Sequence, residues 1–335
     1  MNVIDFLSDH TYIILPTRAN PKVYLPIADA NMVAHAFELY NPFSKKAKIL
    51  KSVARFLCLY MKPLARIVFP TITGKKSKFN IFLEKQLSKT ITSSVYIATE
   101  KDKIVLQIQD QNGIVGYLKS PITGLGKKRL QNEQLAIELL SSKKMIQPLL
   151  LKGEFDTSPF ILLQPIFGEI GAVTKEEYTS VLKRLKKEEQ YSLDLHPRVK
   201  HIRTQLNELE LADLIDVLDR SINKSNTNYY VVYEHGDFAP WNLIKTKNGI
   251  VPFDFEYFEA DGLEYLDELK FHFQEQHLLH QKVGKELISG VFSKVGLEEF
   301  DCLFKIFLLK EIANKMKIEE SVELERSLLK QLTSI

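Results

Sequence analysis

A chain of 335 residues is long for one compact domain and implies two or three units built around more than one core. An apolar content of 45%, a charged content of 26% and a net charge of only +3 fit an ordinary globular protein and argue against a dedicated nucleic-acid binder, whose basic excess would be larger and clustered. Cys58 and Cys302 lie far apart without a CxxC pair, which argues against a disulfide framework or a thiolate zinc site.

The opening "MNVIDFLSDH" carries acids and no basic segment, so it does not read as a secretory signal. No apolar run reaches membrane-spanning length, and a cytoplasmic location is expected. "TYIILP" and "KVYLPI" read as short strands around the turn-like "TRANP". A helix is expected over Ile49 to Met61, with Pro63 kinking or ending it. Within "KAKILKSVARFLCLYMKPLAR", Lys48, Lys51, Arg55, Lys62 and Arg66 fall on one side at about 100° per residue. Ile49, Val53, Phe56, Leu57, Tyr60 and Leu64 spread over the other side, and no acid interrupts the segment. The plain reading is an amphipathic helix buried by its apolar side, with its charged face in water. The functional reading is peripheral contact, through residues 45–66, with an anionic membrane or an anionic lipid-linked substrate.

Strands follow at "SVYIATE", "KIVLQIQD" and "IVGYLKS", with the hairpin pair Asn112-Gly113 between the last two. "LQNEQLAIELLSS" has helical period through Leu130, Leu135, Leu139 and Leu140, and "SPFILLQPIFG" reads as a buried strand ending at Gly168. From Val173 the chain is expected to be mainly helical, as in "EEYTSVLKRLKKEEQ", whose charge run "KRLKKEEQ" reads as a solvated helix face. His272, His277 and His280 do not share one helix face, so they do not read as a metal site. The expected units are an α+β extension over 1–90, a sheet-bearing unit over 91–168 and a mainly helical unit over 169–335.

The block "VVYEHGDFAPWNLIKTKNGIVPFDFE" breaks the helical pattern. "LIK" and "IVPFDF" flank "TKNG", and the Asn248-Gly249 pair favours a tight hairpin between them. Pairing across that turn sets Asn242 and Asp254 side by side, near the loop that holds Asp237. An amide oxygen and a carboxylate suit Mg²⁺, which takes few protein ligands and completes its shell with phosphate and water. A further carboxylate, Asp237, can orient or accept the proton of an attacking hydroxyl. These are the parts of a phosphoryl-transfer site.

"HGDFAPWN" resembles the H-G-D-x-x-x-x-N catalytic loop of the aminoglycoside phosphotransferase and choline kinase-like family, and "FDFE" resembles its metal-binding motif. The resemblance implies an α+β, two-lobed protein-kinase-like fold, here with an N-terminal extension, and ATP and Mg²⁺ as cofactors. It implies Asp237 as the catalytic base or hydroxyl-positioning residue, Asn242 and Asp254 as Mg²⁺ ligands, and His235 and Asp267 as structural residues. It also calls for a phosphate-holding Lys and a helical Glu, matched by Lys119 and Glu133, with Lys103 a rival for the former. "FILLQPIFG" matches the hinge, where backbone groups of Gln164 and Ile166 would read adenine. No G-x-G-x-x-G precedes these strands; "SKTITSSVY" stands there, with Ser93 and Ser94 as candidate phosphate donors. No activation segment or A-P-E follows "FDFE", which favours a small-molecule or glycan hydroxyl over a protein acceptor.

The resemblance covers roughly 91–300; residues 1–90 bear only a general likeness to phosphotransferase-like proteins of bacterial surface-polysaccharide loci. A non-catalytic nucleotide-binding scaffold is the alternative from another class. Within the kinase reading, the acids of "DFEYFEADGLEYLDE" favour an amine acceptor of the aminoglycoside or choline type, whereas the basic helix points towards an anionic or lipid-linked glycan; an extra unit over 1–90 is unnecessary for a free small amine, which places a neutral or anionic glycan precursor ahead.

Overall fold

The computed structural model describes residues 3–39, 45–98, 102–171 and 173–333, and the chain divides into two compact units, Met1–Pro165 and Ile166–Ile335. The class is α+β, as expected from the sequence.

The first unit is built on β1 (Thr11–Pro16), β2 (Pro21–Ile27), α1 (Ala30–Ala36), α2 (Lys45–Tyr60), α3 (Lys62–Val68), β3 (Thr71–Thr73) and α4 (Lys78–Leu87). It continues with β4 (Thr92–Ile97), β5 (Lys103–Asp110), β6 (Gly113–Pro121), α5 (Gly124–Ser142), β7 (Leu151–Phe155) and β8 (Ser158–Leu163). The strands form one sheet in the order β3-β1-β2-β4-β5-β6-β8-β7, antiparallel throughout. Alternation in β1 sends Ile13 and Leu15 to one face and Tyr12 to the other. The first face is covered through Ala54, Leu57 and Cys58 of α2 and Ala65 of α3; the second joins Phe6, Phe79 and Leu83 to Val95, Leu118 and Phe160.

The boundary expected after residue 90 falls inside this sheet. Val23 and Tyr24 of β2 pair with Tyr96 and Val95 of β4, so residues 1–90 share a hydrogen-bonded layer with the strands that follow. The division between units falls after Pro165, three residues before the expected one. The expected helix ends at Tyr60, and α3 starts at Lys62 with Pro63 in its first turn, where a missing N–H is tolerated.

The second unit contains β9 (Glu169–Ile170), α6 (Lys175–Arg184), β10 (Lys186–Ser192), α7 (Pro197–Glu208), α8 (Ala212–Ile222) and β11 (Asn228–Glu234). It then runs through β12 (Leu243–Thr246), β13 (Gly249–Pro252), β14 (Glu259–Leu263), α9 (Leu266–Gln274), α10 (Gly284–Val295), α11 (Phe300–Met316) and α12 (Glu323–Thr333). Two small sheets, β10-β11-β14 and β13-β12-β9, lie among the helices. α11 is buried on nearly every side and carries Leu303, Phe304, Phe307, Leu308 and Ile312 into the main core of this unit.

One sequence expectation is corrected here. "KRLKKEEQ" is not a continuous helix face, because α6 stops at Arg184 and Lys186–Ser192 is a strand paired with β11. Pairing with β11 overrides the helical preference of the lysines and glutamates. The Lys186 and Lys187 ammonium groups also lie 4.7 Å and 4.8 Å from the ring centroids of Tyr230 and Tyr233. Cys58 and Cys302 are free and buried, one in each unit, and burial pushes both thiols up to about 12.

Candidate active site

β11 ends in the buried Glu234, and the chain turns through His235, Gly236 and Asp237 into a 3₁₀ turn over Pro240–Asn242. Two successive backbone N–H groups, of His235 and Gly236, donate to the Asp267 carboxylate at 2.7 Å and 3.0 Å. Asp267 opens α9, so the loop is pinned to that helix. Burial, and then the nearby Glu234 carboxylate, push the Asp267 carboxyl up to about 6. Gly236 has φ +80°, and a Cβ there would meet the Tyr257 carbonyl oxygen at 2.1 Å, so no side chain fits.

His235 ties the loop to the strand that follows. Its Nδ1 accepts from the Asp237 N–H at 3.3 Å, which places the ring proton on Nε2, where it donates to the Phe253 carbonyl at 2.9 Å. The expected hairpin is present: Leu243 pairs with Pro252 and Thr246 with Gly249, leaving Lys247 and Asn248 as its two-residue turn. The Phe253 N–H donates to the Asn242 carbonyl at 3.0 Å, so the hairpin's open end joins the segments that carry Asn242 and Asp254. Asp254 holds a left-handed backbone at φ +66°, a conformation that costs a residue with a Cβ about 1–3 kcal/mol and is typical of functional sites.

The structure brings Asp237 and Asn242 together. Asn242 Nδ2 donates to Asp237 Oδ2 at 3.0 Å and to its carbonyl at 2.8 Å. Gln274 Nε2 donates to Asp237 Oδ1 at 2.8 Å, and Lys270 Nζ lies 3.8 Å from the same oxygen. A carboxylate only accepts, so both amides are oriented with nitrogen towards Asp237. Asn242 therefore turns its Oδ1 away from Asp237. An amide oxygen and a carboxylate, the groups that Asn242 and Asp254 carry, are hard oxygen donors of the kind Mg²⁺ takes.

Lys270 and Gln274, one turn apart on α9, were not found by sequence reasoning. An i, i+4 pair beyond the last motif carries no signal until the helix is docked. Beneath them runs a buried chain of charges. Lys270 Nζ donates to Glu311 at 2.6 Å, Lys310 Nζ lies 3.2 Å from Glu311 and donates to Glu234 at 2.9 Å, and Arg198 Nε donates to Glu234 at 3.0 Å. Burial alone would raise the Glu311 carboxyl, but the Lys270 and Lys310 ammonium groups outweigh it and hold it at about 2. Glu234 is likewise lowered, against its burial, by Arg198 and Lys310.

In the first unit, Lys119 on β6 and Glu133 on α5 form a buried ion pair, with Nζ 2.7 Å and 2.8 Å from the two carboxylate oxygens. Lys103 stands at the start of β5, opposite Pro121, two residues along β6 from Lys119. Gln164 lies just past β8, with Nε2 donating to the Pro148 carbonyl at 3.2 Å, and Ile166 opens the second unit. Ser93 and Ser94 do not offer the hydroxyls expected of them. Both are fully buried in β4, and the Ser93 hydroxyl donates to the Phe6 carbonyl at 2.7 Å.

Four of the acids after Asp254 have partners of their own. Glu259 pairs with Arg198 at 2.9 Å, Asp261 with Lys187 at 2.7 Å and Glu264 with Lys186, while Asp267 holds the loop. Beside the loop lies a cavity of about 240 Å³ lined by Pro240, Tyr178, Phe271, His272, Glu275 and Lys294, among others. There the Tyr178 hydroxyl meets His272 Nε2 at 2.9 Å and His272 Nδ1 meets Glu275 at 3.2 Å; burial lowers the imidazole below its ordinary value.

No family model and no curated protein matches the chain. Among solved structures it is similar to an ethanolamine kinase of Plasmodium vivax, at 13% identity over 90% of this chain and 92% of that one, with a TM-score of 0.43. It is similar to a choline kinase from Cryptosporidium parvum, at 12% identity over 73% and 88%, with a TM-score of 0.42. It is also similar to an aminoglycoside-3'-phosphotransferase of type VIII, at 14% identity over 70% and 97%, with a TM-score of 0.44. At such identities and scores the likeness carries no argument about chemistry, which rests on the side chains described above.

Proposed function

We propose that the chain is an ATP-dependent phosphotransferase that moves the γ-phosphoryl group to a hydroxyl of a small molecule or a sugar or glycan precursor. The observation that carries this reading is the Asp237–Asn242 contact at 3.0 Å, on a loop whose Asn242 carbonyl binds the N–H of the residue before Asp254. In this reading Asp237 orients the acceptor hydroxyl and takes its proton, while Gln274 and Asn242 fix the carboxylate so that no torsional search precedes attack. Mg²⁺ would be held by Asn242 and Asp254 and would supply charge neutralisation at the phosphates. Lys119, kept straight by Glu133, would hold the phosphates, and the backbone at Gln164 and Ile166 would read the adenine.

The pairing of Glu259, Asp261 and Glu264 with basic side chains weakens the case for a cationic acceptor, which places a neutral or anionic hydroxyl compound ahead of a choline-type amine. Transfer of labelled γ-phosphate to sugars, lipid-linked glycans, aminoglycosides and simple amines tests the reading, with Asp237→Asn alongside. The expected result is transfer to at least one hydroxyl compound, cut by several orders of magnitude in the variant with ATP binding retained. ATP binding without transfer to any acceptor would instead support a nucleotide-binding scaffold. Near-normal turnover in the variant would overturn the role of Asp237.

A further inference from the structure

α2 was expected to bury its apolar side and expose its charged side. The structure shows a third arrangement. Ala54, Leu57 and Cys58 face the core, with Leu50 and Leu59 packed against it. Ile49, Val53, Phe56 and Tyr60, spaced i, i+4, i+7 and i+11, form a second stripe that faces away from the core. Their exposures are 65%, 45%, 54% and 74%, and Phe56 and Tyr60 touch ring to ring at 5.3 Å between centroids. α3 extends this surface with Leu64, Ile67 and Val68, Ile67 being 80% exposed. A soluble face rarely carries so many large apolar side chains in one run.

Charge identifies what covers it. Residues 45–70 contain seven lysines and arginines and no acid. Lys46, Lys48, Arg55 and Arg66 are exposed around the apolar stripe. A second copy meeting this face through a two-fold axis would bring two basic sets together, which opposes self-association. An anionic bilayer meets both demands at once: the apolar side chains enter the acyl boundary while the basic ones reach the headgroups. The stripe on α2, from Ile49 to Tyr60, is about 17 Å long at 1.5 Å per residue, enough to lie along a membrane surface. Among the described residues no helix is long and apolar enough to cross a membrane, so the contact is a peripheral one.

We propose that the outer face of α2 and α3 docks the protein on anionic phospholipid bilayers, with Ile49, Val53, Phe56, Tyr60 and Ile67 inserted and Lys48, Arg55 and Arg66 at the headgroups. This goes beyond the phosphotransferase reading and does not depend on it. The test is co-sedimentation of the full chain with vesicles of phosphatidylcholine alone, and with vesicles of equal parts phosphatidylcholine and phosphatidylserine. Binding is expected only to the anionic vesicles and is expected to weaken as salt is raised. Phe56→Ser with Ile67→Ser should abolish it, and each of Lys48→Ala, Arg55→Ala and Arg66→Ala should weaken it roughly fivefold. These side chains are exposed, so thermal unfolding should match the parent and confirm that the variants fold. Equal binding to both vesicle types, or unchanged binding in the serine variant, overturns the proposal. So does a concentration-dependent dimer that Phe56→Ser disrupts, without any vesicle binding.

Discussion

At the scale of single residues, the site is a contest for two oxygens of Asp237. Asn242 holds one and Gln274 the other, and Lys270 lies close to the second. An Asp254→Ala variant separates metal from base. It should lose the Mg²⁺-dependent part of ATP affinity while leaving the Asp237 contacts intact, as titration calorimetry with and without Mg²⁺ would show. ATP that still binds better with Mg²⁺ than without would place the ligand elsewhere. The closeness of Asp237, Asn242 and the segment that leads into Asp254 was legible in the sequence because their order and a hairpin signal lie within one short block. Gln274 was not legible, because an amide on a helix face has no pattern of its own. The Ser93 and Ser94 hydroxyls were misjudged for a related reason: nothing local shows that β4 lies inside a sheet buried on both faces.

At the scale of elements, neighbours decide what local sequence leaves open. β1, β2, the β5–β6 hairpin and the β12–β13 hairpin were legible from alternation and from Asn-Gly pairs. β10 was not, because "KKEEQ" carries helical preference and becomes a strand only when β11 offers its edge. The joining of β2 to β4 was also invisible, since sequence patterns mark strands and not their partners. That join has a practical result. Deleting residues 1–90 would strip β1–β3 from the sheet and remove Phe6, Tyr12, Phe79 and Leu83 from the core they share with Phe160. Losing even one such side chain costs about 3–5 kcal/mol, so the truncated chain should be insoluble or lack a cooperative transition for the first unit. A soluble, cooperatively melting product would show that residues 1–90 are a separable domain after all.

At the scale of the whole molecule, the buried charges beneath the Asp237 loop set how the second unit responds to acid. A carboxyl held below its unfolded value adds stability above that value and loses it as pH falls through the folded one. For Glu311 that window runs from its ordinary 4.5 down to about 2, and Glu234 is shifted in the same direction. The melting temperature should therefore fall steeply as the pH is lowered across that range. Glu311→Gln should flatten part of the fall and cost about 3 kcal/mol at neutral pH, because Lys270 and Lys310 lose a buried partner. Circular-dichroism melts at stepped pH would check both, and a parallel slope in the variant would assign the acid response to other groups.

The shared core of the first unit also sets a timetable for synthesis. Phe6, Tyr12 and Phe79 leave the ribosome early, yet they close against Phe160, which lies about 80 residues beyond Phe79. At about 5–20 residues per second, that apolar surface waits roughly 4–16 s for its last wall. A nascent chain paused within β7 would therefore be a substrate for chaperones, which makes the order of translation, as much as the finished contacts, a determinant of yield.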